Sequence, residues 1–364
     1  MAAPMSLPEL GIIEGFYGIP WTWTARASNV AFLAPQGYRS YMYAPKGDPF
    51  LRLRWEEPHP DAHAEELKRF SATCRKAGMR FGVGLSPVLK NGFTADAKTA
   101  LDRKLTFLDD VGIDDFALLF DDMRGETPDL ARQQIEVAHW AAARTKATRV
   151  IVCGSYYTDD PVLDRVFGAR PPGYEAELGA GLDERIGIYW TGEEVCSRQF
   201  TTGHLERVST TLRRKPTLWD NYPVNDGARM SQYLHVRGFT GRPASIADHI
   251  AAHGVNPAVQ PTLSLIPMLT LVDSYRLGDA YEYGSSFRAA AQRVAGPELA
   301  QKLYEDVLVL QDVGLDRLGE KEALLRSRYE GEPHEAAKEI VAWLNGEYRI
   351  TDALVRAMVG NDQG

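Results

Sequence analysis

Short apolar runs recur along the chain at fairly regular intervals, and each is separated from the next by a segment long enough to form a helix. Runs of this length predict strands that are buried on both faces. We predict eight of them, at residues 11–16, 38–44, 79–85, 116–120, 149–153, 186–190, 216–219 and 236–239. Helical patterning lies between several strands, at residues 61–77, 94–111 and 128–146, and Thr127 is the expected N-cap of the last helix.

Eight alternations of strand and helix predict an α/β fold, a (β/α)8 TIM barrel. Parallel strands need crossover helices, and eight strands close the sheet. The main alternative, an open doubly wound sheet, is disfavoured because no G-x-G-x-x-G motif follows the first strand. After residue 254 the pattern becomes helical. We therefore predict a catalytic barrel over residues 1–255 and a helical C-terminal extension, 256–364, packed on it.

Composition narrows the class of protein. The 364 residues are 44% hydrophobic and carry a formal net charge of -8, which favours a large core and argues against a nucleic-acid partner. The three cysteines are far apart and form no C-x-x-C pair, so neither a disulfide framework nor a zinc ribbon is indicated. There is no secretion-signal pattern and no apolar run of membrane-spanning length. We expect a soluble, cytoplasmic protein without a membrane partner.

The fourth predicted strand ends in two adjacent carboxylates, Asp121 and Asp122. At the carboxyl end of a barrel strand such groups face the substrate, and two like charges this close cannot both ionise freely. One would then act as an acid while the other remains an anion. The alternative from this stretch alone is that one of them only caps the following helix.

The other strand ends carry aromatic and hydrogen-bonding residues. Aromatic walls beside Asp, Asn and Lys suit a sugar, whose C–H faces stack on rings while its hydroxyls need directional partners. Singly, each residue has a simpler explanation: Lys46 as a solvated turn lysine, and Trp190 and Trp219 as barrel core. His249 and His253, spaced i, i+4, are expected to be solvated helix histidines, because no further zinc ligand accompanies them.

Five strand ends together resemble glycoside hydrolase family 84, which contains β-N-acetylglucosaminidases and protein O-GlcNAcases. The motifs are EGFYG at 14–18, YAPK at 43–46, FDD at 120–122, WTG at 190–192 and WDNYPVND at 219–226. They occur in the family's order, within a resemblance that covers residues 11–244. Several independent matches make the resemblance specific.

The resemblance implies an exo-acting, retaining hydrolase that removes terminal β-linked GlcNAc. In that family the substrate's acetamido oxygen attacks its own C1 to give an oxazoline, without an enzyme nucleophile. By similarity, Asp121 accepts from the acetamido N–H, and Asp122 protonates the leaving oxygen and later activates water. The residues that the resemblance assigns to substrate binding are Gly15, Lys46, Tyr157, Thr191, Trp219, Asn221, Asp226 and Arg242. The substrate would be a β-GlcNAc glycoside or an O-GlcNAc-modified protein; no cofactor or metal is required, and a homodimer is possible.

Two positions depart from the family pattern. After strand five the family shows Cys-Pro-Thr-Glu-Tyr-Cys where this chain has CGSYYT at 153–158, so Tyr157 is assigned by spacing. After strand eight the family has an Asn before Pro, and here Arg242 precedes Pro243. An arginine is charged and only donates hydrogen bonds. This leaves open a hydrolase of a different N-acetylated or acidic hexosaminide, or a catalytically silent sugar-binding relative.

Overall fold

A computed structural model describes residues 7–89, 92–121 and 127–359. Its centre is a closed barrel of parallel strands in which each strand pairs with the next and β8 pairs with β1. The strands are β1 Leu10–Glu14, β2 Tyr38–Tyr43, β3 Arg80–Leu85, β4 Asp115–Leu119, β5 Arg149–Cys153, β6 Gly187–Trp190, β7 Thr217–Asp220 and β8 Ala252–Val255. The predicted (β/α)8 class is therefore confirmed.

α-Helices connect the strands from β1 to β7, two short 3-10 helices lie between β7 and β8, and further α-helices follow β8. The α-helices are α1 Trp23–Leu33, α2 Asp61–Lys76, α3 Ala95–Val111, α4 Leu130–Ala142, α5 Val162–Phe167, α6 Tyr174–Gly181, α7 Thr202–Leu212, α8 Pro261–Leu277, α9 Tyr283–Ala295, α10 Pro297–Leu308, α11 Lys321–Tyr329, α12 Glu335–Leu344 and α13 Asp352–Val359. Within the described ranges, none of these helices combines the length and the apolar character needed to cross a membrane.

Seven predicted strands overlap the observed ones, but the eighth prediction is wrong. Residues 236–239 form no strand, because side chains of the C-terminal region satisfy their backbone donors. The amides of Val236 and Arg237 donate to Oε1 of Gln311 at 2.9 and 3.0 Å, and the amide of Phe239 donates to Oγ1 of Thr270 at 2.8 Å. No donor of these three residues is left for a ladder.

The true eighth strand is short and has little apolar character. Gly254 of β8 faces Gly11 and Trp219, and a Cβ built on it would lie 2.3 Å from Cδ1 of Ile13. His253 is buried, 2.7 Å from the Tyr275 hydroxyl through Nδ1 and 2.9 Å from Oδ2 of Asp220 through Nε2. The expectation that His253 is a solvated helix histidine is therefore wrong.

The starts of two predicted helices can be checked against their caps. Thr94 caps α3, since its side chain accepts from the amide of Ala97 at 3.3 Å. The prediction that Thr127 caps the next helix is wrong. Asp129 has a left-handed φ of 52°, and α4 begins only at Leu130, three residues after Thr127.

Helix α8 packs in two directions. Leu265, Met268 and Leu271 join the barrel core, while Ile266 and Leu269 join a second apolar cluster formed with the later helices. This explains why the segment is apolar on all sides rather than amphipathic. Because α8 belongs to both clusters, a division of the chain at residues 255 and 256 stays a prediction.

A buried carboxylate ties α12 to the start of α8. Glu339 accepts from the amides of Thr262 and Leu263, both at 2.8 Å, and so satisfies donors that a helix N-terminus leaves free. Burial raises the pKa of Glu339 to about 7, although these two hydrogen bonds favour the charged form. The C-terminal region is thus attached to the barrel by a titratable contact.

Candidate active site

A cavity of about 250 Å³ opens where the strands end. Eight predicted site residues line it: Gly15, Lys46, Asp121, Tyr157, Thr191, Trp219, Asn221 and Asp226. They lie at or after the carboxyl ends of six strands, β1, β2, β4, β5, β6 and β7, so only closure of the barrel brings them together. Asp122 lies outside the described residues.

A second cavity, of about 350 Å³, lies at the opposite end of the barrel, where the strands begin. Four of its charged side chains take part in ion pairs with one another. Arg80 Nε lies 3.0 Å from Oδ1 of Asp115, and Arg149 Nη1 lies 2.9 Å from Oε1 of Glu9. Because barrel enzymes carry their chemistry at the other face, we interpret these pairs as structural.

Asp121 is the central group of the first cavity. Its Oδ2 is ion-paired with the Lys46 ammonium, and both side chains are nearly inaccessible to solvent. Its Oδ1 is buried and has no hydrogen-bond partner among the described residues. An unsatisfied buried oxygen of this kind costs about 1–3 kcal/mol. A ligand that donates a hydrogen bond would remove this cost.

Two asparagines fix the wall beside Trp219. Oδ1 of Asn221 accepts from Nε1 of Trp219 at 3.1 Å and from Nδ2 of Asn256 at 2.9 Å, while its own Nδ2 donates to the Val195 carbonyl at 2.8 Å. Oδ1 of Asn256 also faces the Gly15 amide at 3.3 Å. These bonds hold the indole and both amides in one orientation.

Gly15 has no room for a side chain. A Cβ at this position would lie 2.3 Å from Cζ2 of Trp219, a distance that real Cβ atoms do not adopt. The glycine therefore lets the indole approach the backbone after β1. Two residues further along the chain, the Tyr17 amide donates to Oδ2 of Asp226 at 2.9 Å.

Arg242 does not line this cavity, and its assignment to sugar binding is corrected by the structure. Its guanidinium is buried and bonded to Asp220, with Nε to Oδ2 at 2.8 Å and Nη2 to Oδ1 at 2.6 Å. The remaining donors reach the carbonyls of Ser197, Arg198 and Thr240 at 2.7–2.9 Å. Burial alone would raise the pKa of Asp220, but Arg242 holds that pKa below its usual value.

The residue that sequence reasoning missed is Asn256, which lines the cavity directly after β8. It precedes Pro257, so Asn256-Pro257 matches the family's Asn-Pro pattern, which the sequence analysis had aligned with Arg242-Pro243. Asn256 was missed because the eighth strand was predicted at residues 236–239, whereas β8 is at 252–255. Tyr17 and Cys196 also line the cavity, whereas Trp190 is core and donates from Nε1 to His204 at 3.2 Å.

Comparison with known proteins agrees with this geometry. The sequence model of the beta-N-acetylglucosaminidase family matches residues 10–307. The chain belongs to this family of glycoside hydrolases. The resemblance to family 84 drawn from the motifs is thereby confirmed.

Two curated relatives and one solved structure show how far the similarity extends. The chain is 28% identical over 259 residues to the protein O-GlcNAcases of Mus musculus and Rattus norvegicus, which covers 68% of this chain and 28% of theirs. A mutant O-GlcNAc hydrolase of Thermobaculum terrenum superposes with a TM-score of 0.76 at 28% identity, covering 96% of this chain and 83% of that one. The chain thus spans little more than a quarter of the length of the two curated relatives.

Proposed function

We propose that this member of the family is an exo-acting, retaining β-N-acetylglucosaminidase that works through an oxazoline intermediate. The observation that supports this most directly is the pairing of Asp121, which lines the cavity, with Lys46. Its other carboxylate oxygen is buried and has no hydrogen-bond partner among the described residues. Such an oxygen suits the N–H of an acetamido group. A glucoside has a hydroxyl in place of the acetamido group, so it lacks the carbonyl oxygen that attacks C1 in the proposed mechanism.

The reaction needs no nucleophile from the protein. Asp121 accepts the acetamido N–H and raises the electron density on the acetamido oxygen, which attacks C1 from within the same sugar. Asp122 protonates the departing oxygen as the C1–O bond breaks, and afterwards takes a proton from the water that opens the oxazoline. Two inversions at C1 give overall retention.

The other lining residues bind the sugar. Lys46 and Asp226 offer a cation and a carboxylate to hydroxyl groups, and Asn256 offers an amide close by. Trp219 and Thr191 form the wall against which the acetamido methyl packs, with Tyr157 on the leaving-group side. Since the relatives are named for O-GlcNAc, we include O-GlcNAc-modified proteins in the proposed substrate class.

Turnover of chromogenic β-GlcNAc, β-GalNAc and β-glucose glycosides tests the proposal. We expect cleavage of the GlcNAc compound, no cleavage of the glucose compound, and loss of turnover in Asp122→Ala. Asp121→Asn keeps the shape of the side chain but not its charge, and should lower kcat by about 100- to 1000-fold. A normal rate in both variants would refute the assignment of the acids.

A fluorinated acetamido series separates the proposed mechanism from attack by an enzyme nucleophile. Each fluorine withdraws electrons from the carbonyl oxygen and makes it a weaker nucleophile, so kcat/KM should fall stepwise from acetyl to trifluoroacetyl. A flat series would contradict participation by the substrate. Tight GlcNAc binding without any turnover, measured by isothermal titration, would instead indicate a catalytically silent sugar-binding relative.

The structure gives no support to the alternative that the substrate is an acidic hexosaminide. That alternative was motivated by Arg242, and the guanidinium of that residue is bonded to Asp220 and to three carbonyls outside the cavity. A donor set that is already satisfied has nothing left to offer a substrate carboxylate. We therefore keep GlcNAc as the proposed sugar.

A further inference from the structure

One aspartate and two histidines cluster close to the turn that carries Lys46. Asp48, His59 and His63 each direct a ligand-type atom toward a common region, and these atoms all lie within 4.8 Å of one another. His59 precedes α2, and His63 lies in its first turn. None of the three lines the sugar cavity, so the reaction proposed above leaves them unused.

The spacing of these atoms is unlike that of ordinary hydrogen bonds. Nε2 of His59 and Nε2 of His63 each lie 3.4 Å from Oδ2 of Asp48. Hydrogen bonds from nitrogen to oxygen are usually about 2.7–3.2 Å long. Around a tetrahedral Zn²⁺ with bonds of about 2.0–2.2 Å, neighbouring ligand atoms are roughly 3.3–3.5 Å apart. The two distances to Asp48 match those of ligand atoms that share an ion.

His59 supplies an independent indication. Its side chain is 0% exposed, and its Nε2 has no hydrogen-bond partner among the described residues. Leaving such a nitrogen unsatisfied costs about 1–3 kcal/mol. A hydrogen bond orients the Asp48 carboxylate, because its Oδ1 accepts from the Phe50 amide at 3.0 Å. Its Oδ2 lies on the side of the histidines.

Neighbouring groups define the rest of the site. The Tyr43 hydroxyl lies 3.1 Å from both Oδ2 of Asp48 and Nε2 of His63, where it offers a fourth oxygen. The His63 side chain is 27% exposed, which gives an ion a path from solvent. The Lys104 ammonium lies 3.5 Å from Nδ1 of His59, on the other edge of the ring. Its charge opposes a cation, so affinity should be lower than that of a four-ligand structural zinc site.

We propose that Asp48, His59 and His63 bind a divalent transition-metal ion, with Zn²⁺ the best match. Two imidazoles and one carboxylate are a ligand set that this ion accepts, with one position left for water or a tyrosine oxygen. The Asp48 amide donates to the Pro45 carbonyl at 3.0 Å and closes the turn that carries Lys46. A bound ion would hold one end of that turn.

Titration of the metal-stripped full-length chain with Co²⁺ tests the site, followed by displacement with Zn²⁺. We expect about one ion per chain and a visible absorption band typical of a tetrahedral cobalt site. Asp48→Asn and His63→Asn should each weaken binding by about 10- to 100-fold or more. The matched control is His249→Asn, because the His249 side chain is also 27% exposed and also lies beside a carboxylate, that of Glu206.

Several outcomes would overturn the proposal: no cobalt band in the wild type, unchanged affinity in His63→Asn, or an equal loss in His249→Asn. Circular dichroism and melting curves of the variants establish that each is folded. As a second measurement, Zn²⁺ should raise the Tm of the wild type and of His249→Asn but not that of His63→Asn. None of these measurements depends on glycosidase activity, so failure of the proposed function would not affect them.

Discussion

Replacement of Arg242 by methionine would distinguish a structural arginine from a substrate-binding one. The guanidinium makes two bonds to Asp220, whose side chain is 0% exposed, and three bonds to backbone carbonyls. In Arg242→Met the aspartate loses its guanidinium partner and keeps the contact with Nε2 of His253 at 2.9 Å. Removal of one partner from a buried ion pair typically costs about 3–5 kcal/mol.

This cost converts to a measurable shift in melting temperature. For 364 residues, an unfolding entropy of about 2.1 cal/mol/K per residue gives roughly 0.8 kcal/mol/K. A loss of about 3–5 kcal/mol then lowers the Tm by about 4–7 °C. The double variant Arg242→Met/Asp220→Asn removes the stranded charge as well, so it should lose less stability than the sum of the single variants.

Differential scanning calorimetry measures the Tm, and glycoside kinetics well below that temperature measure KM. Because Arg242 lies outside the cavity, KM for a β-GlcNAc glycoside should stay close to the wild-type value. Loss of a charged hydrogen bond to the sugar would instead raise KM by about 10- to 100-fold. A variant with an unchanged Tm and a KM raised to that extent would refute the structural interpretation.

Three further predictions follow from single contacts. Glu339→Gln removes a carboxylate whose pKa is about 7 in the folded chain and about 4.5 in the unfolded chain. The free energy of unfolding of the wild type, relative to that of the variant, should therefore fall by up to about 3 kcal/mol as the pH rises from below 4.5 to above 7. A difference in urea unfolding that does not change with pH would contradict this. Gly15→Ala should displace Trp219, costing about 1–3 kcal/mol and lowering turnover, whereas the control Gly203→Ala, with open space around its Cβ, should do neither. Asn256→Ala removes the partner of Gly15 and should lower kcat/KM by about tenfold or more in glycoside assays; normal kcat/KM would exclude it from the site.

The position of the candidate site depends on features that the sequence displays. β4 is apolar and ends shortly before Asp121. Lys46 follows the end of β2, and Trp219 lies near the end of β7. β4 and β7 are buried along their whole length and β2 is buried toward its carboxyl end, so hydrophobic periodicity finds these strands. Since the carboxyl ends of parallel strands share one edge, the convergence of these residues could be predicted.

The sequence by itself determined the barrel class, seven strands and most of the residues that line the cavity. Only the tertiary structure decided β8, because Gly254 leaves its space to Ile13 and His253 is buried through hydrogen bonds, so no apolar run marks that strand. The same structure assigned Asn256 to the cavity and Arg242 to Asp220. Partners of charged and polar side chains are set by contacts between residues distant in the chain, and local periodicity carries no record of those contacts.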